Sequence, residues 1–199
     1  MAITFDWPEA LRPARVEWDR ILTQTLATSM LNGQSQAQTF GAPRWKVDIT
    51  TGPLKRDLVP QWEALIDQLD GSVNLARIWD WRREAPLGVA SGAPTVRLAA
   101  SGLSVASQGW TPNVTGILLA GSWLGINGEL KRLTASVNSD SLGRATLPFW
   151  PPLRHQAPAT GAIVLTKPTA LFKLISATAA VQEGGRHPGF TLSLEEEPT

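Results

Sequence analysis

The chain has 199 residues, enough to bury most of its apolar side chains in one large domain or in a domain with a sizeable insertion. Its 18 basic and 17 acidic residues give a net charge of +1, which excludes a broad electrostatic field that would steer nucleic acid or an anionic membrane. The absence of cysteine excludes disulfides, thiolate nucleophiles and sulfur-based zinc sites, and it fits a protein made in a reducing cytoplasm.

The N-terminal segment, residues 1–14, contains two prolines, and we expect an extended arm of the kind that reaches a neighbouring molecule. Its acidic and aromatic start is unlike a signal peptide, and no apolar run reaches membrane-spanning length. We therefore expect a soluble protein that is not exported through a signal peptide.

The next segment predicts strands before any helix. Residues 15–18 and 21–26 form either a strand pair or one bent strand, and Asn32-Gly33 is a typical hairpin turn. Residues 34–40 are polar at alternate positions, which favours an edge strand.

Residues 44–80 carry the strongest secondary-structure pattern, which predicts strand, loop, helix, turn and strand. Trp45, Val47 and Ile49 alternate with polar residues, as in a strand that buries one face. From residue 73 the period of two returns, and it predicts a second strand with Val73, Leu75, Arg77 and Trp79 on one face.

The helix between these strands is predicted over residues 57–70. Its apolar residues recur at intervals of three and four, which lines one side of a helix; they are Leu58, Val59, Trp62, Leu65, Ile66 and Leu69. We expect Asp57 to cap the first turn, Pro60 to occupy a position that needs no N–H, and Gly71 to end the helix.

The chain from residue 95 onward predicts many short strands. Glycine-containing turns separate a first group of runs, which is typical of a small β-barrel or sandwich; these runs are 95–99, 116–119, 123–126, 130–137, 145–149 and 162–166. Two more runs, 171–177 and 190–194, follow. We expect residues 195–199 to be a solvated tail.

The predicted fold class is mainly β with one principal α-helix: a discontinuous β-barrel or sandwich packed by the helix, with a small inserted β-barrel. An open sheet formed by the first half alone would leave two bare edges, and the last two strands could close it. We therefore assign residues 1–87 and 167–199 to the first domain and residues 88–166 to the insertion. A linear arrangement of two domains is the alternative.

Residues that carry chemistry are sparse. His155 and His187 lie in predicted Pro/Gly-rich surface loops without carboxylates at metal-ligand spacing, and no phosphate-binding glycine loop or nucleophile motif is present. Asp80 with Glu84, or Asp48 with Asp57, are conceivable carboxylate pairs for glycoside hydrolysis. We expect no enzyme activity, no cofactor and no metal.

Tryptophan supplies most of the aromatic content, with nine residues against no tyrosine. The segment from Trp79 to Arg83 could stack on sugars or bases, or it could anchor a protein interface, where Trp and Arg are enriched. A carbohydrate-binding role of the insertion would use Trp110, Trp123 or Trp150. The Asn113-Val114-Thr115 triplet predicts a turn.

The 44–80 stretch together with the C-terminal strand resembles the distal tail proteins of long-tailed bacteriophages. Four segments carry this resemblance in the outer part, namely residues 44–49, 58–71, 73–81 and 190–196. The middle is similar to the inserted module of phage tail proteins, through residues 109–116, 120–124, 137–147 and 150–154. Ser122 departs from the family pattern, which has an aspartate there.

The resemblance, over residues 35–196, implies a fold related to tail-tube proteins and a purely structural role in the virion. It implies a homo-oligomeric ring, a hexamer in most of the family, at the distal end of the tail tube, which joins the tube protein to hub and tail-tip adhesion proteins. DNA would only pass through the channel, and no membrane, cofactor or enzymatic activity is implied. The chain would be made in the host bacterial cytoplasm. A tail-tube or other baseplate subunit is the alternative.

The predicted assembly contacts lie in the arm, in the loop before the helix and in the Trp-rich corner. They are Trp7, Pro8, Leu11, Pro53, Leu54, Lys55, Arg56, Trp79, Trp81, Arg82 and Arg83.

Overall fold

A computed structural model of the protein describes residues 2–179 and 189–198. Within these residues the fold is mainly β, with a single helix, as predicted. The elements are β1 (Thr4–Asp6), β2 (Arg15–Ile21), β3 (Gln24–Thr28), β4 (Ser35–Thr39), β5 (Arg44–Thr50), α1 (Val59–Leu69), β6 (Leu75–Ile78), β7 (Gly92–Val96), β8 (Ala100–Trp110), β9 (Trp123–Ile126), β10 (Glu129–Leu133), β11 (Arg144–Ala157), β12 (Ile163–Val164), β13 (Ala170–Ala179) and β14 (Phe190–Glu196).

The first sheet combines strands from both ends of the sequence. Its order is β1-β6-β13-β14-β5-β2, with β1 parallel to β6 and every other pair antiparallel. The last two strands therefore fill the centre of the sheet rather than close its edge, and they join β6 to β5. The alternation predicted in β5 is confirmed, because Trp45, Val47 and Ile49 are fully buried.

Helix α1 packs its apolar side on the core of this sheet. Trp62, Leu65 and Leu69 are buried, and Pro60 lies in the first turn as predicted. The cap predicted for Asp57 is wrong: Leu58 is the N-cap residue and no side chain bonds to the first turn. At the other end, Asp70 is the C-cap residue with a φ of 47°, and Gly71 after it has the positive φ predicted for it, 59°.

The predicted phase of β6 is also wrong. Ala76 and Ile78 are fully buried, whereas Arg77 is exposed and its guanidinium donates a hydrogen bond of 3.0 Å to Asp6 on β1. Ala76 has a small side chain and contributes little to the hydrophobic pattern. The larger Val73, Leu75 and Trp79 therefore determined which face of the strand was predicted to be buried.

The second sheet nearly closes into a small barrel. Its order is β12-β9-β10-β11-β8-β7, and a bridge between Thr95 and Ala162 links the two edge strands. Val105, Leu124, Phe149 and Ile163 belong to its buried core. The sequence patterns missed β8, because Ser107, one of its inward positions, is a buried polar residue that bonds to the carbonyl oxygen of Ala145 at 2.8 Å.

The corner before β9 is polar despite the departure from the family pattern. Ser122 is buried, and its hydroxyl lies 2.7 Å from the carbonyl oxygen of Leu119. The same hydroxyl lies 3.2 Å from the backbone nitrogen of Leu87 and 3.2 Å from its carbonyl oxygen. The turn predicted at Asn113 is confirmed by its positive φ of 56°.

The two sheets share one of the two hydrophobic cores. Trp123 and Leu130 of the second sheet pack in the same cluster as Trp45 and Phe172 of the first. The boundaries proposed near residues 87 and 167 therefore stay a prediction. Within the described residues, no helix is long and apolar enough to cross a membrane.

Candidate assembly interface

The predicted arm residues are divided between core and surface. Trp7 and Leu11 are buried, and the Trp7 indole donates a hydrogen bond of 2.8 Å to the Leu11 carbonyl oxygen. The Trp7 ring lies 5.8 Å from Trp62 and 5.3 Å from Trp81, centre to centre. Pro8 is exposed. Residues 4–11 are thus held in this chain's own sheet and core rather than extended as a free arm. Burial of the large Trp7 ring removes apolar surface from water, and this stabilises the packed position.

The loop before α1 offers more surface than the Trp-rich corner. Pro53, Lys55 and Arg56 are exposed, and Leu54 is half-buried against the core.

In the corner, Trp79 and Trp81 are buried with their rings 5.4 Å apart, while Arg82 and Arg83 are exposed. The corner can therefore offer its arginines to a partner, but its indole rings are covered.

Three of the four carboxylates considered for hydrolysis have a structural partner. Asp80 is buried and accepts hydrogen bonds from the Trp123 indole at 2.9 Å and from Arg82 at 3.1 Å. Glu84 pairs with Arg12 at 2.7 Å. Asp48 pairs with Lys46 at 3.0 Å, which leaves Asp57 as the exposed member of its predicted pair.

A cluster of tryptophans joins the two sheets. Trp45 on β5 lies 4.8 Å from Trp123 and 4.7 Å from Trp150, and Trp18 on β2 lies 4.9 Å from Trp123. The Trp45 indole donates a hydrogen bond of 3.0 Å to the Leu130 carbonyl oxygen. Aromatic edge-to-face pairs of this kind stabilise beyond their buried area, by about 0.5–1.5 kcal/mol each.

Three arginines, Arg20, Arg83 and Arg132, surround this junction; we call them the arginine cluster. The Arg132 guanidinium lies 5.0 Å from the Trp45 ring centre and 5.5 Å from that of Trp123. Partial burial there lowers the pKa of Arg132, and the charges of Arg20 and Arg83 lower it further. Arg20 and Arg83 are therefore each close enough for their charges to act on Arg132, as is the opposite charge of Asp80.

Beside the tryptophans lies a buried group of four charged side chains. Lys131 and Glu129 form an ion pair of 2.6 Å with almost no exposure, and Arg154 lies 2.6 Å from Glu196. Burial lowers the pKa of Lys131. Burial alone would raise the pKa of Glu129, but the hydrogen bond and charge of Lys131 hold it below its ordinary value.

This group corrects two predictions. Glu196 is fully buried in β14 and accepts a hydrogen bond of 3.0 Å from the Trp45 backbone N–H, so the segment from residue 195 is not a solvated tail. The exposed His155 lies in β11 rather than in a loop, with Nδ1 3.8 Å from Glu129. His187 lies outside the described residues.

A hairpin of β3 and β4 extends from the first sheet. These strands pair only with each other, and every residue in both is exposed. The turn at Asn32-Gly33 is confirmed, with Gly33 at φ 67°. Residues 21–43, which contain the hairpin, include no charged residue. The exposed apolar side chains of this segment are Leu22, Leu26, Met30, Leu31 and Phe40.

The tryptophans considered for glycan binding are largely covered. Trp110 and Trp123 are 4% and 3% exposed, and Trp150 is half-buried against Trp45. Stacking on a sugar needs a free ring face, which Trp110 and Trp123 do not offer. Among residues 2–179 and 189–198, no three His, Asp or Glu side chains gather as a metal site.

No protein-family model matches this sequence, and no curated protein matches it.

Proposed function

We propose that this protein is a structural subunit of a phage tail that forms a ring at the distal end of the tail tube and joins the tube to the hub and adhesion apparatus. The proposal starts from the sequence resemblance over residues 35–196 and involves no catalysis. The structural observation that carries it is the exposed, uncharged hairpin β3–β4.

The hairpin is poorly suited to stand alone in water. A two-stranded ribbon is marginal without further strands or a helix to pack on, and its free edges are templates for pairing with another chain. Natural edge strands are usually protected by charge. The edge strand β2 follows this rule with Arg15, Glu17, Asp19 and Arg20, whereas β3 and β4 have no charged residue.

Assembly into a ring would give the hairpin a partner. In a cyclic oligomer each subunit contacts its neighbour through two different surfaces, so an element that extends from one copy can lie on the next. Burial of Leu26, Met30 and Leu31 in such a contact would remove apolar surface from water at about 25 cal/mol per Å².

Light scattering on the purified chain tests this proposal. The variant carries Leu26→Lys and Leu31→Lys, which place charges on the hairpin without touching a core. The control carries Leu98→Lys and Leu142→Lys at exposed barrel positions, 58% and 65% exposed against 66% and 99% for Leu26 and Leu31. Unchanged tryptophan fluorescence in both variants establishes that they fold.

We expect the wild type and the barrel control to form one closed oligomer and the hairpin variant to be monomeric. A wild type that stays monomeric at high concentration would contradict the proposal, as would a hairpin variant that assembles unchanged. The tail-tube subunit is the runner-up within the same class. Copy number in the virion separates the two, since a tube needs hundreds of subunits and a ring only a few.

A further inference from the structure

Within the described residues the arginine cluster has no ion-pair partner. No carboxylate of the described residues forms an ion pair with Arg20, Arg83 or Arg132, although Asp80 lies near enough to act on Arg132. Asp80 itself is bound by Arg82 and Trp123. The Arg20 guanidinium lies 5.5 Å from the Trp150 ring centre, and the Arg132 guanidinium lies 5.0 Å from that of Trp45, whose ring is 4.7 Å from Trp150. Two cations therefore flank one partly buried junction, which favours the binding of an anion there.

The geometry favours protein carboxylates over nucleic acid. Binding of single-stranded nucleic acid relies on free aromatic faces for base stacking. Here the rings of Trp45 and Trp123 are buried, and each packs against other tryptophans and the Arg132 guanidinium. Arg20 and Arg83 are exposed, and their guanidinium groups can donate hydrogen bonds to a carboxylate in the bidentate geometry that Arg prefers.

The chain also carries a surface of opposite character. Glu63 and Asp67 lie one turn apart on α1, and Asp70 is the C-cap residue; we call these three the acidic stripe. All three are exposed, and none forms an ion pair within the described residues.

The acidic stripe costs stability in an isolated chain. The last turn of α1 has no basic residue, and acids there oppose the helix dipole by about 0.3–1 kcal/mol. Like charges at i and i+4 add a smaller penalty. A cation supplied from outside the chain would remove both penalties.

We propose that the acidic stripe of one copy binds the arginine cluster of the next copy. This contact rests on the proposed ring, and it is heterologous, as a cyclic ring requires. It would bring together two surfaces of opposite charge: three arginines on one side of the interface and three carboxylates on the other, none of which forms an ion pair within the described residues.

A charge swap tests the contact in the full chain. One variant carries Arg20→Glu and Arg83→Glu, a second carries Glu63→Lys and Asp67→Lys, and a third combines all four changes. All four positions are exposed. Arg20 also lies 5.5 Å from the Trp150 ring centre, and Arg83 donates a hydrogen bond of 3.2 Å to the Gly121 carbonyl oxygen, so unchanged tryptophan fluorescence must first establish that each variant folds. The control carries Arg97→Glu and Arg144→Glu, which replace two arginines on the barrel that also form no ion pair in the described residues.

We expect each of the first two variants to raise the concentration needed for assembly by at least about tenfold, which is 1.4 kcal/mol. The combined variant should return to within about threefold of the wild type, and the barrel control should match the wild type. If the wild type assembles and the swaps change nothing, or if the combined variant is not restored, the contact is wrong and the ring proposal stands. A wild type that never assembles overturns both.

Discussion

The indole of Trp45 and the carbonyl of Leu130 join the two sheets by a hydrogen bond of 3.0 Å. The backbone N–H of Trp45 also donates to Glu196, at 3.0 Å, which ties the same residue to the buried charged group. Trp45 is therefore the point at which the aromatic cluster, the ionic group and both sheets meet.

Replacement of Trp45 by Phe should lower the free energy of unfolding by at least about 2 kcal/mol, as measured by urea denaturation. The change removes an indole N–H that bonds in the interior, and unmade buried hydrogen bonds cost about 1–3 kcal/mol in addition to the lost packing. Trp62→Phe is the matched control, because Trp62 is equally buried and its indole makes no hydrogen bond within the described residues. Equal losses of unfolding free energy in the two variants would contradict a stabilising role for the hydrogen bond of the Trp45 indole.

The buried pair of Arg154 and Glu196 gives a second prediction. Arg154→Met should destabilise the chain by about 3–5 kcal/mol, because it leaves the Glu196 carboxylate buried without its cation. The double variant Arg154→Met/Glu196→Leu should be more stable than Arg154→Met, since neither charge remains. Lys173→Gln removes a partly exposed pair with Glu197 and should cost about 1 kcal/mol or less. Additive losses in the double variant would show that the two side chains are not coupled.

Acid sensitivity follows from Glu129, whose pKa in the folded chain is held below its ordinary value of 4.5. As the pH falls below about 4.5, the unfolded chain binds more protons than the folded chain does. The contribution of Glu129 to stability is therefore complete above that pH and is lost as the pH falls through its pKa in the folded chain.

The predicted measurement is a shallower loss of unfolding free energy below about pH 4.5 in Glu129→Gln than in the wild type. Glu63→Gln, which changes an exposed carboxylate that forms no ion pair within the described residues, serves as the control and should follow the wild-type profile. Parallel profiles for wild type and Glu129→Gln would be the contradicting result.

The parts of the fold that sequence predicts best are those with large apolar side chains in a clear period. The alternation of Trp45, Val47 and Ile49 predicted β5, and the spacing of Trp62, Leu65 and Leu69 predicted the buried side of α1. The predictions failed where small or polar residues face inward, as with Ala76 in β6 and Ser107 in β8, because hydrophobic periodicity is blind to them.

The candidate interface was harder to predict for a different reason. Trp7 in the N-terminal arm and Trp81 in the Trp-rich corner are predicted as contacts from their place in the sequence, yet both pack in the chain's own core. Conversely, the acidic run that contains Glu195 and Glu196 predicts a solvated tail. The prediction fails because Arg154, the buried cation that pairs with Glu196, is distant in the sequence. The absence of charged residues from positions 21–43 can be read from the sequence alone, and this uncharged stretch contains the hairpin β3–β4.

Images of the purified full-length chain by negative-stain electron microscopy test the central claim most directly. We predict closed rings of uniform subunit number with a central opening, and isolated particles when the hairpin carries Leu26→Lys and Leu31→Lys. Wild-type particles that are single subunits at every concentration, or open filaments instead of rings, would contradict the account.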